Sequence, residues 1–201
     1  AWAATRGELR ARLALRLPRP TAALGALMIG ASFWYVNTRL SAPLVRLWDD
    51  GEVARLTATM TSGRSLGARL LVIAIVPAVC EELVCRAILA RGLRPATGPL
   101  AACALSAAGF AAFHLAWVRL VPTFLLGLVL AALTLATESI APAMLVHALN
   151  NAIAIAIASN AWPDGNAALA AYPTVTLAAA LALTTGGLAL VLRDWHRSRS
   201  G

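Results

Sequence analysis

The chain of 201 residues contains no lysine, only 9 acidic residues, 3 cysteines and 3 histidines, and just 13% of it is charged. A soluble domain usually carries about 25% charged and about 45–50% apolar residues. Here 60% are hydrophobic and the mean hydropathy is +0.74. A chain of this length cannot hide that much apolar surface in one core, so an ordinary soluble domain is excluded and the surplus must face lipid. The few cysteines (Cys80, Cys85, Cys103) lie in apolar stretches with no CxxC pair and no zinc-like spacing, which reads as buried thiols serving as small hydrophobes. No stretch alternates with period two over a barrel-like length. That leaves helices as the spanning structure.

All 17 basic residues are arginine, and the net charge is +8. They sit between apolar runs and at the chain ends, a placement that suits lipid headgroups rather than nucleic acid. Six runs have the length to cross a bilayer core: about 21–38, 69–90, 99–118, 121–137, 139–158 and 174–192. The expected fold is therefore an all-α, polytopic transmembrane bundle. Its expected divisions are a basic membrane-proximal segment (1–20), a first membrane helix with an interfacial segment (21–66), a core (67–193) and a basic tail (194–201). Arg193, His196, Arg197 and Arg199 in and beside that tail read as headgroup contacts. The mixed segment 41–66 reads as an interfacial helix or structured loop, and Trp162-Pro163-Asp164-Gly165-Asn166 as a turn. If both termini lie in the cytoplasm, ten arginines face it and six face away, with Arg86 inside a span. The opening Ala1-Trp2 reads as a processed form or a piece of a larger membrane protein.

The informative residues are those a dry span should lack. Glu81 and Glu82 fall near the middle of the second run, roughly 15 Å from either end at about 1.5 Å rise per residue. A charge there costs at least about 2.5–3.5 kcal/mol on insertion scales. Glu82 and Arg86 are four apart and can pair within one helical turn, a structural role. Glu81 has no such partner. His114 lies in the third run, with Phe110 one turn before it on the same face. His147 lies in the fifth, with Asn150 and Asn151 close behind. A lone intramembrane histidine usually satisfies an interhelical hydrogen bond. Two of them, with a double glutamate in a third span, point instead to a site.

Adjacent helices can bring the carboxylate, two imidazoles and a carboxamide together. An unpaired Glu81 in a partly dry site suits a general base. An imidazole beside it can share a water and pass a proton to a leaving amine, while a second imidazole and an amide can donate to an oxyanion. No serine or cysteine has an obvious base partner, so a covalent nucleophile is disfavoured.

Glu81-Glu82-x-x-x-Arg86, Phe110-x-x-x-His114 and His147-x-x-x-Asn151, in this order on three apolar runs, resemble the motifs of the CPBP family. That family comprises CAAX proteases and bacteriocin-processing enzymes, also called Abi, a group of glutamic intramembrane proteases. The resemblance covers about 69–158. It implies a helical bundle around a water-filled cavity, with Glu81 and His114 activating water and His147 and Asn151 stabilising the oxyanion. Glu82 and Arg86 would support the site by pairing, and Phe110 would line it. As the runs are drawn, His114 is near a helix end while Glu81 is central, so their meeting requires tilt, a shifted boundary or a break near Gly109.

The expected function is that of an intramembrane endopeptidase acting on a peptide or membrane-protein substrate in the bilayer, with no nucleic-acid partner. The lysine-free, alanine- and arginine-rich composition looks like that of a GC-rich bacterium, hence an inner-membrane location. No cofactor is expected. A zinc variant using Glu81, His114 and His147 stays open on ligand types, although no HExxH helix is present. The alternative of another class is a non-catalytic binding, immunity or transporter-associated protein of the same fold.

Overall fold

The computed structural model describes residues 8, 10, 11 and 13–197, apart from the side chains at 196 and 197. Arg6, Arg12 and Arg199, the side chains of His196 and Arg197, and parts of the terminal segments 1–20 and 194–201 lie outside the described residues. Among the described residues there is no strand, and the chain is an all-α bundle. Helix α1 is Pro20–Trp48 and α2 is Glu52–Thr61. A rod over residues 66–90, α3, joins Leu66–Arg69, a π-helical stretch Leu70–Ile75, an α-helical stretch Val76–Glu82 and a second π-helical stretch Leu83–Ala90. Then come α4 (Arg91–Ala112), α5 (Trp117–Thr137), α6 (Ala141–Ala158), α7 (Pro163–Ala171) and α8 (Pro173–Arg197).

Among the described residues three helices are long and apolar enough to cross a membrane by length and composition: α5, α6 and α8 up to Trp195. The other three expected runs are helical but differ in outline. Helix α1 continues to Trp48, past the apolar run, and carries Arg39 and Arg46 into its last turns. The rod α3 is divided by its π-helical stretches. In α4, Gly98 adopts φ 79°, ψ 169°, a conformation essentially reserved for glycine, and this breaks the helix. Pro99 follows, with its fixed φ and no N–H.

Gly98 makes α3 and the second half of α4 an antiparallel hairpin. Ser106 Oγ donates to the Cys85 carbonyl at 2.7 Å, and the Arg86 guanidinium lies over the Phe110 ring. Helix α5 packs back against α4 through Gly127, whose missing side chain lets Ala107 and Phe110 approach; a Cβ there would sit 3.0 Å from Ala107. The apolar core lies between α1, α4, α5 and α6, around Ile29, Phe110, Leu130 and Val146. Outward-facing Leu71, Ile75, Val79, Val84 and Ile88 line the rod's outer face. A contiguous apolar surface of that kind is rare on a soluble monomer and suits lipid.

Two local expectations are corrected. Residues 162–166 are not the turn: Pro163 starts α7 and Asp164 occupies its first turn, both favourable at a helix N-terminus. The chain reverses just before, where Asn160 adopts φ 48°. Of the three free cysteines, only Cys85 is buried; Cys103 is half-buried and Cys80 is exposed, because it falls on the outer side of the rod.

Candidate active site

The site is built where α3, the end of α4 and α6 meet. Glu82 and Arg86 share one face of the rod and are both fully buried, with Arg86 Nε 3.0 Å from Glu82 Oε2. The atoms are at ion-pair distance but not aligned as a hydrogen bond, so the pair is held by charge more than by direction. Arg86 Nη2 reaches the Gly127 carbonyl at 3.4 Å, and its guanidinium carbon lies 4.4 Å from the Phe110 ring centre. This is a cation–π contact in a desolvated setting, where such contacts are strongest.

Helix α6 runs antiparallel to the rod and brings His147 between the two glutamates. His147 Nδ1 donates to Glu82 Oε1 at 2.9 Å, the carboxylate being the necessary acceptor. That contact assigns the Nδ1–H tautomer and turns Nε2 toward Glu81 Oε2, 3.8 Å away. Glu81 is about a third exposed (38% of its side chain), yet Oε2 is shielded from solvent and makes no hydrogen bond among the described residues. Glu82 was expected to serve Arg86; its second contact, to His147, depends on how α6 rotates against α3 and carries no spacing signal.

His114 lies in the non-helical connection after α4, which ends at Ala112. Nearly equal numbers of residues separate Gly98 from Glu81 and from His114, so the hairpin brings the two level. A shifted helix boundary thus resolves their placement, without a break at Gly109. His114 Nδ1 donates to the Phe110 carbonyl at 2.8 Å, which leaves Nε2 as its free, basic nitrogen. Phe110 meets both imidazoles edge-on, with ring centres 4.9 Å from His114 and 5.5 Å from His147.

Asn151 is held from two sides. Its Nδ2 donates to the Ile73 carbonyl at 3.1 Å, and its Oδ1 accepts from Asn150 Nδ2 at 3.3 Å. The Ile73 carbonyl is available for a physical reason: its α-helical donor would be residue 77, which is proline and has no N–H. The π-helical stretch and Pro77 therefore hand a backbone acceptor to α6, one way such stretches come to lie beside functional sites. One of the two Asn151 N–H groups remains for another acceptor.

Two cavities adjoin at Phe110 and His114. One of about 290 Å³ is lined by Glu81, Cys80, Val84 and the exposed Phe113, and faces the rod's outer side. The other, about 190 Å³, is lined by His147, Asn150, Asn151, Trp34, Met60 and Arg119. The structure thus gathers all seven expected residues, with Glu81 on one side of the Phe110–His114 partition and Asn151 on the other. Among the described residues no group of three His, Cys, Asp or Glu side chains is arranged to hold a metal ion. Sequence reasoning missed Arg119, counted there only as an interfacial charge, and the Ile73 carbonyl, which the position of Pro77 could have revealed.

Fold and site together define a helical membrane protein with an acid–histidine site set within the bundle. Residues 64–153 match the family model described as Rce1-like, type II CAAX prenyl endopeptidase Rce1-like. That segment carries the three motifs, so over it the chain is similar to the CPBP family, and its three long apolar helices fit an integral membrane protein. No curated protein and no solved structure matches the chain.

Proposed function

We propose that this protein is a glutamic intramembrane endopeptidase that hydrolyses a peptide bond with a Glu81- and His114-activated water. The observation that carries the reading is Glu81 Oε2: a shielded carboxylate oxygen with no hydrogen bond, facing the Nε2 of a histidine that Glu82 orients. Such an oxygen is suited to accept a proton from water. The water oxygen attacks the scissile carbonyl carbon while its proton passes to Glu81. The free Asn151 N–H, with His147 Nε2 when that ring is protonated, donates to the resulting oxyanion. As the C–N bond breaks, the proton reaches the leaving amine through His114 Nε2. Glu82, Arg86 and Phe110 act as positioning residues.

The reading needs no metal and takes a peptide or membrane-protein substrate from the bilayer. The lysine-free composition supports a bacterial inner membrane as the location. The test is cleavage of a peptide library by detergent-purified wild type and Glu81→Gln, each with and without chelator. Chelator-resistant cleavage is expected, reduced on the order of 10²–10⁴-fold in Glu81→Gln with unchanged helicity. Cleavage abolished by chelator would replace this mechanism with the zinc variant. Cleavage undiminished in Glu81→Gln would remove Glu81 from the chemistry.

A further inference from the structure

Arg119 stands in the first turn of α5, half-buried, and lines the same cavity as His147 and Asn151. It also lines a larger groove of about 530 Å³ between α1, α2 and the start of α5. Thr38, Met60 and Pro122 are the other residues common to both spaces, so Arg119 marks the junction between an outer groove and the inner site. Among the described residues its side chain makes no hydrogen bond and no ion pair. The acidic groups whose field reaches it, Glu81 and Glu52, remain outside contact. Asp49, the acid that lines the outer groove, is engaged elsewhere: its Oδ1 accepts the N–H groups of Gly51 and Val53.

A guanidinium in a half-buried position usually recovers its lost hydration from a carboxylate or phosphate. Arg119 has five N–H donors, no acceptor of its own and an apolar wall of Met60, Pro122 and Leu126 around the cavity it faces. We infer that Arg119 is a specificity residue of the proposed protease: it binds a carboxylate of the peptide that enters through the groove between α1, α2 and α5, and so sets which bond lies between Glu81 and Asn151. The inference rests on the endopeptidase reading for its purpose, but not for its measurement. The carboxylate has two sources, the peptide's C-terminus or an acidic side chain, and the chemistry at Arg119 is common to both.

The test is equilibrium binding, by fluorescence anisotropy, of fluorescein-labelled apolar hexapeptides to the full chain in detergent. Three peptides are compared: one with a free C-terminal carboxylate, its C-terminal amide, and the amide carrying one internal glutamate. The proteins are wild type, Glu81→Gln, Arg119→Gln, Arg119→Lys and, as a charge control, Arg64→Gln, which removes an exposed arginine that lines neither cavity. At least one carboxylate peptide is expected to bind about tenfold more tightly than the neutral amide, as charge-assisted hydrogen bonds do. The preference persists in Glu81→Gln and Arg64→Gln, falls toward one in Arg119→Gln and survives in part in Arg119→Lys, which keeps the charge but loses the fork. The carboxylate peptide that shows it identifies the source.

A preference that survives in Arg119→Gln, or its absence from wild type, overturns the assignment. So does a drop in turnover in Arg119→Gln with the affinity ratio intact, which would mean that Arg119 acts only through Glu81. Because binding is read in the Glu81→Gln protein, a failed protease mechanism leaves the carboxylate preference standing, and the reverse also holds.

Discussion

Arg86 is the side chain on which the others lean. It is fully buried, touches Glu82 by charge, Gly127 by a long hydrogen bond and Phe110 by its face, while Nη1 has no hydrogen-bond partner among the described residues. Removing one member of a buried ion pair leaves the other uncompensated and costs about 3–5 kcal/mol. Arg86→Ala is expected to lower unfolding free energy in mixed micelles by about that amount, and Arg86→Lys by a smaller one, since ammonium keeps the charge without the planar stack. A change below about 1 kcal/mol for Arg86→Ala would show that the pair contributes little. At this scale the Glu82–Arg86 pairing was legible, because i,i+4 spacing is a property of one helix. The His147–Glu82 contact was not, because it depends on which face of α6 meets the rod, and α6 is apolar nearly all round.

The elements explain why the site can form at all. Pro77 frees the Ile73 carbonyl for Asn151, and Gly98 folds the rod against α4 so that Glu81 and His114 share a level. Gly98→Ala forces a side chain into a conformation that costs about 1–3 kcal/mol for non-glycine residues. The expected outcome is a loss of stability in that range together with reduced cleavage, as the hairpin relieves strain by shifting its arms. Unaltered cleavage with altered stability would mean that the level of His114 is set elsewhere. The gap between the runs 69–90 and 99–118 marks a hairpin in the sequence, whereas Gly98 as its pivot came only with the structure. The helix end at Ala112 was not legible, since Phe113, Leu115 and Ala116 are apolar and the stretch 113–116 carries no proline, glycine or capping residue. The π-helical stretches were hidden for a related reason: their sequence is ordinary helix, and only Pro77 hints at a departure.

The whole molecule has two charged ends. Arg94 pairs with Glu138 at 3.1 Å, Arg91 reaches the Ala11 carbonyl, and Ser139 Oγ donates to the Arg16 carbonyl, all at the Gly98 end. At the other end Arg69 donates to Ser159 Oγ and the Met60 carbonyl. Arg16, Arg91 and Arg94 thus lie at one end and Arg69 at the other. In a cysteine-free background, Ala96→Cys and Arg64→Cys, both at exposed positions, are expected to react with an impermeant maleimide from opposite faces of sealed vesicles, Ala96→Cys from the cytoplasmic face. Labelling of both from one face would break the hairpin's orientation across the bilayer. The bundle was legible at this scale from hydropathy alone. The number of spans was not, because a long helix such as α1 mixes polar and apolar turns and the rod changes helix type along its length.

The hairpin about Gly98 has a consequence for how this chain can drift in length. Glu81 and His114 line one cavity because the two arms are counted out from the same turn. A residue gained or lost in one arm would rotate its end by about 100° and slide it by about 1.5 Å, breaking the match. The same change in the connection between Ser62 and Ser65, or between α6 and α7, leaves the spacing of Glu81 and His114 from Gly98 untouched. Insertions and deletions should therefore be tolerated at the ends of the molecule and refused between 81 and 114, whatever residues fill those positions.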